Sequence, residues 1–265
     1  MDIKRIFLNG ALFLVPLVVL GAILWFGLGL NRKDNDIPTS TVSENSPAPS
    51  DNTGNSPSLD DEPPADKLPL PPADYKVLKE IKPVRSDLEK PLREGFSERL
   101  IAIEKNPESP MLWAELGSIK HSFADYDGAK ALYLYALRIN PSTTLANANL
   151  VDIYRNIQPD FPKAEYYLKQ IIKTDKNTAV RAYVDLSDLY RYQYKEKADL
   201  ADDVLLEAYK AYPNDHGFLN ALAWYYKETG DTQKAIEYFE KFLEKEPNNE
   251  SAKEELEWLR AKKSS

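Results

Sequence analysis

From residue 75 onward, apolar residues recur every three or four positions, and the runs are broken by Asn-Pro, Gly-Asp and Pro-Asn pairs. That spacing puts the apolar side chains on one face of an α-helix. The interruptions predict a succession of short helices joined by tight turns. Residues 230–249 show the pattern in miniature: Ala235, Phe239, Phe242 and Pro247 hold the apolar places, and Lys and Glu fill most of the rest. No stretch alternates as a half-buried strand does, so the expected fold class is all-α.

Two earlier segments follow other rules. Residues 6–30 read IFLNGALFLVPLVVLGAILWFGLGL, with no charge inside. As a helix this run spans roughly 37 Å at about 1.5 Å per residue, enough for a hydrocarbon layer of about 30 Å with some tilt. Pro16 and the glycines are tolerated in such a helix. Trp25 and Phe26 lie near one end, where aromatic rings favour the membrane interface. The expectation is one uncleaved transmembrane anchor after a short tail, residues 1–5. A cleaved signal peptide is the alternative, opposed by the length of the run and by the lack of a small-x-small site in GLGLNRKD. Lys4 and Arg5 precede the span and Arg32 and Lys33 follow it, so the charge rule for orientation is nearly balanced. The short tail has little to translocate, so the bulk of the chain is expected outside, with a cytoplasm-facing arrangement as the alternative. Residues 31–74 are rich in Pro, Ser, Asn and Asp. They have almost nothing to bury, cannot offset their ordering entropy, and are expected to form a disordered linker.

The pattern of 230–249 recurs upstream. Pro107, Pro141, Pro213 and Pro247 close helical stretches, at intervals of one or two units of similar length. Trp113, Leu116, Gly117, Ala129, Tyr133, Ala136 and Pro141 mark one unit. Leu219, Leu222, Ala223, Tyr226, Ala235, Phe239, Phe242 and Pro247 mark another. Between them stand Leu150, Val151, Tyr154, Ala164, Leu168 and Ile171, then Tyr183, Leu186, Ser187, Tyr190, Ala201, Leu205, Ala208 and Pro213, with residues inserted in the turns. A period of about 34 residues with this internal order resembles the tetratricopeptide repeat. By these motifs the region is identified as a member of that family, over residues 110–249. The resemblance implies a solenoid of helical hairpins wound as a right-handed superhelix, with four repeats at 110–143, 144–178, 179–215 and 216–249. Asn147 departs from the pattern where a large residue is expected, and Lys176 where a proline is. A leading helical segment over 75–109 offers Leu92, Phe96, Leu100 and Ile103 for packing. A capping helix and tail over 250–265 turn Leu256 and Leu259 inward.

The anchor segment VPLVVLGAILWFGLGLNRKDNDIPTS also resembles that of bacterial thiol–disulfide interchange proteins of cytochrome c maturation. Those proteins use a Cys-x-x-Cys pair, and this chain has no cysteine, so their redox activity is not implied. The likeness implies a bacterial-type inner membrane with a periplasmic helical domain.

In the tetratricopeptide family, peptide contacts come from a few positions of the first helix of each hairpin. Carried over, one such column is His121, Arg155, Arg191 and Lys227. Neighbouring columns supply Asn156, Asp188, Tyr192, Asn220 and Trp224. The column of cations implies an acidic or carboxylate-terminated peptide, bound by charge-assisted hydrogen bonds with Tyr192 and Trp224 as apolar anchors. Compensation of the helix dipole accounts for the same cations without a ligand. The family's clamp for chaperone tails is not reproduced, since Ala114, Ala148 and Ser118 occupy its places.

Composition narrows the chemistry further. A net charge of −8 disfavours a nucleic-acid partner. Without cysteine, and with His121 and His216 the only histidines, no metal site and no thiol chemistry are expected. No phosphate loop or nucleophile motif is present, so neither a cofactor nor an enzymatic activity is expected. The expected function is a membrane-anchored scaffold that binds a partner protein or peptide in its groove for assembly of an envelope complex. A structural protein that self-associates through its solenoid is the alternative.

Overall fold

A computed structural model describes residues 70–264. The anchor expected over 6–30 and residues 31–69 of the linker expected over 31–74 lie outside the described residues, while residues 70–74 of that linker are described and make ordered contacts. Within them no helix is long and apolar enough to cross a membrane, and there is no strand.

Ten α-helices follow one another in the described residues. They are α1 (Ser86–Lys105), α2 (Pro110–Ser122), α3 (Tyr126–Ile139), α4 (Thr144–Asp152), α5 (Phe161–Thr174), α6 (Lys176–Asp188), α7 (Ala201–Ala211), α8 (Gly217–Thr229), α9 (Thr232–Lys245) and α10 (Glu250–Ser264). Each packs on the next in sequence. The result is an all-helical, tetratricopeptide-like solenoid. Pairs α2/α3, α4/α5, α6/α7 and α8/α9 form its hairpins. A single hairpin cannot cover its own apolar stripe, so the core runs continuously from one hairpin into the next.

The starts of the second helices repeat one device. Asp125, Asp160 and Asp231 accept from the backbone N–H groups of Gly128, Lys163 and Lys234, at 3.1, 3.2 and 3.0 Å. Each satisfies an N–H that has no partner inside its helix. Within the first hairpin the two helices approach so closely that a Cβ on Gly117 would lie 2.8 Å from Tyr133 Cε1 and 3.3 Å from the carbonyl of Ala129. Large side chains fill the space around such contacts, and Trp113, Leu116, Leu132, Tyr133 and Phe239 are buried.

The second repeat differs from its neighbours at both unusual positions. Trp113 Nε1 donates to the carbonyl of Pro107 at 2.7 Å, and Asn147 Nδ2 donates to that of Pro141 at 3.0 Å. Asn147 thus keeps the anchoring hydrogen bond of the tryptophan it replaces but not its volume. Its Oδ1 is buried with no hydrogen-bond partner among the described residues. At the far end of this repeat the missing proline is explained by a joint of one residue. Asp175 ends α5 and caps α6, accepting from the N–H groups of Asn177 and Thr178 at 3.0 and 3.4 Å. Helix α6 therefore begins at Lys176, ahead of the boundary expected at residue 179.

The segment expected to lead in as helix over 75–109 divides in two. Only Ser86–Lys105 is helical, with Leu92, Phe96 and Ile103 buried and Leu100 half-buried. Residues 70–85 form an irregular strap over the first hairpin. Tyr75 sets its ring edge-on to Trp113, with centroids 5.1 Å apart. At the other end Leu256 and Leu259 of α10 are buried against α9.

Candidate functional site

Two of the first helices do not end as regular α-helix. Helix α4 continues into a π-helical turn, Ile153–Ile157, and α6 into another, Leu189–Gln193. The amides of Gln158 and Tyr194 bond back five residues, to the carbonyls of Ile153 and Leu189, at 2.8 and 2.7 Å. A π turn takes in an extra residue and re-aims the side chains on it, which is why such turns gather at functional sites. The residues inserted in the turns of these two repeats are accommodated partly here. Arg155 and Asn156 ride on the first turn, and Arg191 and Tyr192 on the second. His121 and Lys227 stand on the unbroken helices α2 and α8.

The four residues of the column meet the following repeat. His121 Nε2 lies 3.4 Å from Asp152 Oδ2. Arg155 donates to Gln193 Oε1 at 2.6 Å and lies 3.7 Å from Asp185. Arg191 pairs with Glu228, and Lys227 with Glu255. The column is therefore a ladder in which each repeat holds a side chain of the next. The paired side chains are mostly buried, so each rung sets Coulomb attraction against a desolvation cost. The sequence reading missed Asp185, Gln193, Glu255 and Trp258. Their separations from the cations differ from rung to rung, so no fixed spacing marks them.

Aromatic rings flank the ladder at its carboxyl-terminal end. The Arg191 guanidinium carbon lies 4.7 Å from the centroid of Tyr192 and 5.3 Å from that of Tyr225. Tyr192 is 50 % exposed, and its hydroxyl reaches Glu228 at 3.1 Å. Lys227 Nζ sits 4.3 Å from Trp224 and 5.2 Å from Trp258, itself 51 % exposed. Cations are held over such rings by the ring quadrupole. Beside them is a hollow of about 300 Å³ lined by Lys227, Glu254, Glu255 and Trp258. A larger open hollow, about 780 Å³, lies away from the row, between the turns around His216 and Glu246.

The remaining predicted residues divide by what they touch. Asn156 is exposed and donates to Asp152 at 2.8 Å. Asn220 is half-buried on α8. Asp188, at the end of α6, is half-buried, and no hydrogen bond to its carboxylate is found among the described residues. Burial pushes its pKa above the usual carboxylate range. Arg155, Arg181 and Arg191 oppose that shift and Asp185 adds to it. Burial likewise lowers the pKa of His121, against the pull of Asp152. The His121 rung is thus weighted toward a neutral imidazole. Among the described residues, no group of three His, Cys, Asp or Glu side chains could hold a metal ion.

The tetratricopeptide repeat family model matches residues 217–249, which hold α8, α9 and the turns beside them. The human protein O-mannosyl-transferase TMTC1 is 30 % identical over 91 residues, 33 % of this chain and 10 % of that protein. The chain thus spans about a tenth of the length of this curated relative. The crystal structure of YrrB, a TPR protein with an unusual peptide-binding site, is similar with a TM-score of 0.45 and 19 % identity, over 63 % of this chain and 84 % of that one.

Proposed function

We propose that this chain, a protein of tetratricopeptide repeats, is a non-catalytic scaffold that holds an extended segment of a partner protein along the row from His121 to Trp258. The observation that carries this reading is the pair of π turns. Consecutive repeats depart from regular helix where the candidate residues stand, and the departure leaves Tyr192 and Asn156 presented to solvent. Two consecutive repeats place Arg155, Asn156, Arg191 and Tyr192 on corresponding π turns, a rare local geometry that is frequent at functional sites.

The ladder bears on the partner's chemistry. Each cation of the column already faces a carboxylate or amide of the next repeat. An acidic or carboxylate-terminated peptide would have to displace Asp152, Asp185, Glu228 or Glu255 from its rung. The groups with capacity left are Asp188, Asn156 and the exposed ring surface of Tyr192 and Trp258 beside the cations already seated on them. They suit the N–H groups of an extended backbone and a cationic or aromatic side chain. The first reading is therefore a peptide without net negative charge. An acidic peptide is the second, and its binding would open a rung.

The setting in this proposal is a membrane. A helix over residues 6–30 would anchor the chain in a bacterial-type inner membrane, and residues 31–69 would tether the solenoid on the periplasmic side for assembly of an envelope complex. The likeness of the anchor to periplasm-facing proteins supports that side.

A photo-cross-linking amino acid placed at position 192 in the full chain, in the native cell, tests the site. Position 166 is the control, since Tyr166 on α5 is 40 % exposed but stands outside the row. We expect adducts from 192, weakened roughly tenfold or more by Asp188→Ala with Trp224→Ala. Equal adducts from the two positions would refute the row as the binding face. Protease accessibility of the solenoid in spheroplasts reports its side of the membrane.

A further inference from the structure

The first hairpin carries a side chain its successors do not. Tyr154, Tyr190 and Tyr226 hold the same place in the later repeats, and Lys120 holds it in the first. Lys120 is 0 % exposed. Its Nζ donates to the carbonyls of Asp74 and Val77 at 3.1 and 2.6 Å and lies 3.5 Å from Asp125. The strap is met at its other end by main chain. The carbonyl of Phe123, at the end of α2, accepts from the N–H groups of Ile81 and Lys82 at 3.0 and 3.1 Å. Between these points Tyr75 rests on Trp113, which rests in turn on Tyr135 with centroids 4.6 Å apart. Three strap side chains also take part: Tyr75 on Trp113, Lys76 Nζ against Glu104 at 3.1 Å, and Glu80, which accepts from Arg93 at 2.7 Å. The four hydrogen bonds read main chain in a turned conformation: the Val77 amide donates to the Asp74 carbonyl at 3.0 Å, and this turn brings the carbonyls of residues 74 and 77 within reach of one amine.

We infer that this face of the first hairpin is a second peptide site, which residues 74–82 occupy in cis and which the same segment of a second copy of this chain takes when the strap lifts. The segment it fits carries an aromatic residue, with carbonyls placed one before and two after it for Lys120, and two successive amides further on for Phe123. A second copy's residues 74–82 meet that description by construction. The bonds that hold the strap are the ones a competitor would make, so the exchange conserves them. An empty site is the costly state, because it strands a buried amine and a helix-terminal carbonyl that the occupant satisfies. This site is separate from the row of π turns and stands whether or not that row binds a partner.

The test uses the full chain and a fluorescent peptide of residues 72–83. Tyr75→Ala with Ile81→Pro loosens the strap while leaving Lys120, Trp113 and Phe123 in place. The loosened chain is expected to exchange the Lys82 amide faster than wild type and to bind the peptide at least about tenfold more tightly. Adding Lys120→Met is expected to abolish that gain while α2 and α3 stay protected from exchange. Binding no tighter than wild type's, a Lys82 amide as slow as wild type's, or binding that survives Lys120→Met would each overturn the inference. So would a loss of binding that comes with opening of α2 and α3.

Discussion

Gly117→Ala isolates the contact that lets the first hairpin close. A methyl group there would stand 2.8 and 3.0 Å from two ring carbons of Tyr133 and 3.3 Å from the Ala129 carbonyl. The ring is fully buried, and its hydroxyl lies 3.3 Å from Ser118 Oγ, so it cannot swing aside into solvent. Overpacking of this kind costs about 1–3 kcal/mol. Replacing a mid-helix glycine by alanine returns up to about 1 kcal/mol of helix propensity. The net expectation is a loss of about 1–2 kcal/mol, or roughly 3–6 °C in Tm for a domain of this size. Solenoids open locally, so the melt should be read beside amide exchange, with the largest loss of protection in α2 and α3. Val151 and Ser187 occupy the corresponding places of the next two repeats, where Leu168 and Leu205 replace the tyrosine. Tyr133→Leu should therefore partly rescue Gly117→Ala, with a coupling of about 1 kcal/mol or more. Unchanged or raised stability in Gly117→Ala, or additive costs in the double variant, would refute the close approach as the reason for glycine.

Gly230 ends α8 at φ +88°, and a Cβ there would meet nothing within 4 Å. Gly230→Ala should accordingly lose about 1–2 kcal/mol through the backbone alone, measurable in a denaturant melt. Asp188→Asn should raise Tm at pH 7. A carboxyl whose folded pKa is raised contributes stability that is present below its unfolded value of about 3.9 and lost as pH rises through the folded one, so the gain should vanish in acid. His121 has the opposite sign. Its pKa is lowered on folding, so the stability it contributes above its unfolded value of about 6.5 drains away as pH falls toward the folded one. His121→Gln should flatten stability against pH below about 6.5 in thermal melts.

Helices and hairpins were legible because packing and periodicity share one cause. Gly117, Ala129 and Ala136 stand where helices touch, and Tyr133 and Phe239 fill the space beside them. The inserted residues were legible as insertions but not as π turns, because α and π hydrogen bonding differ by one residue and composition does not decide between them. The cation column was legible, and its partners were not. Which carboxylate meets Arg155 depends on how two hairpins stack, a distance in space with no fixed interval along the chain. The strap escaped for a related reason. Its hydrogen bonds to Lys120 and Phe123 use main chain, and nothing in the sequence marks Lys120, the one lysine of α2, as buried.

The joint at Asp175 sets where this protein can be divided. One residue there ends α5, caps α6 and accepts from Thr144 Oγ1 at 2.7 Å, so the second and third repeats share a hinge-pin with no slack. Chimeras and split halves should be cut in the turn at 212–216, where Tyr212 ends one hairpin and Gly217 begins the next. A graft at 175 would remove the fastener of both modules at once.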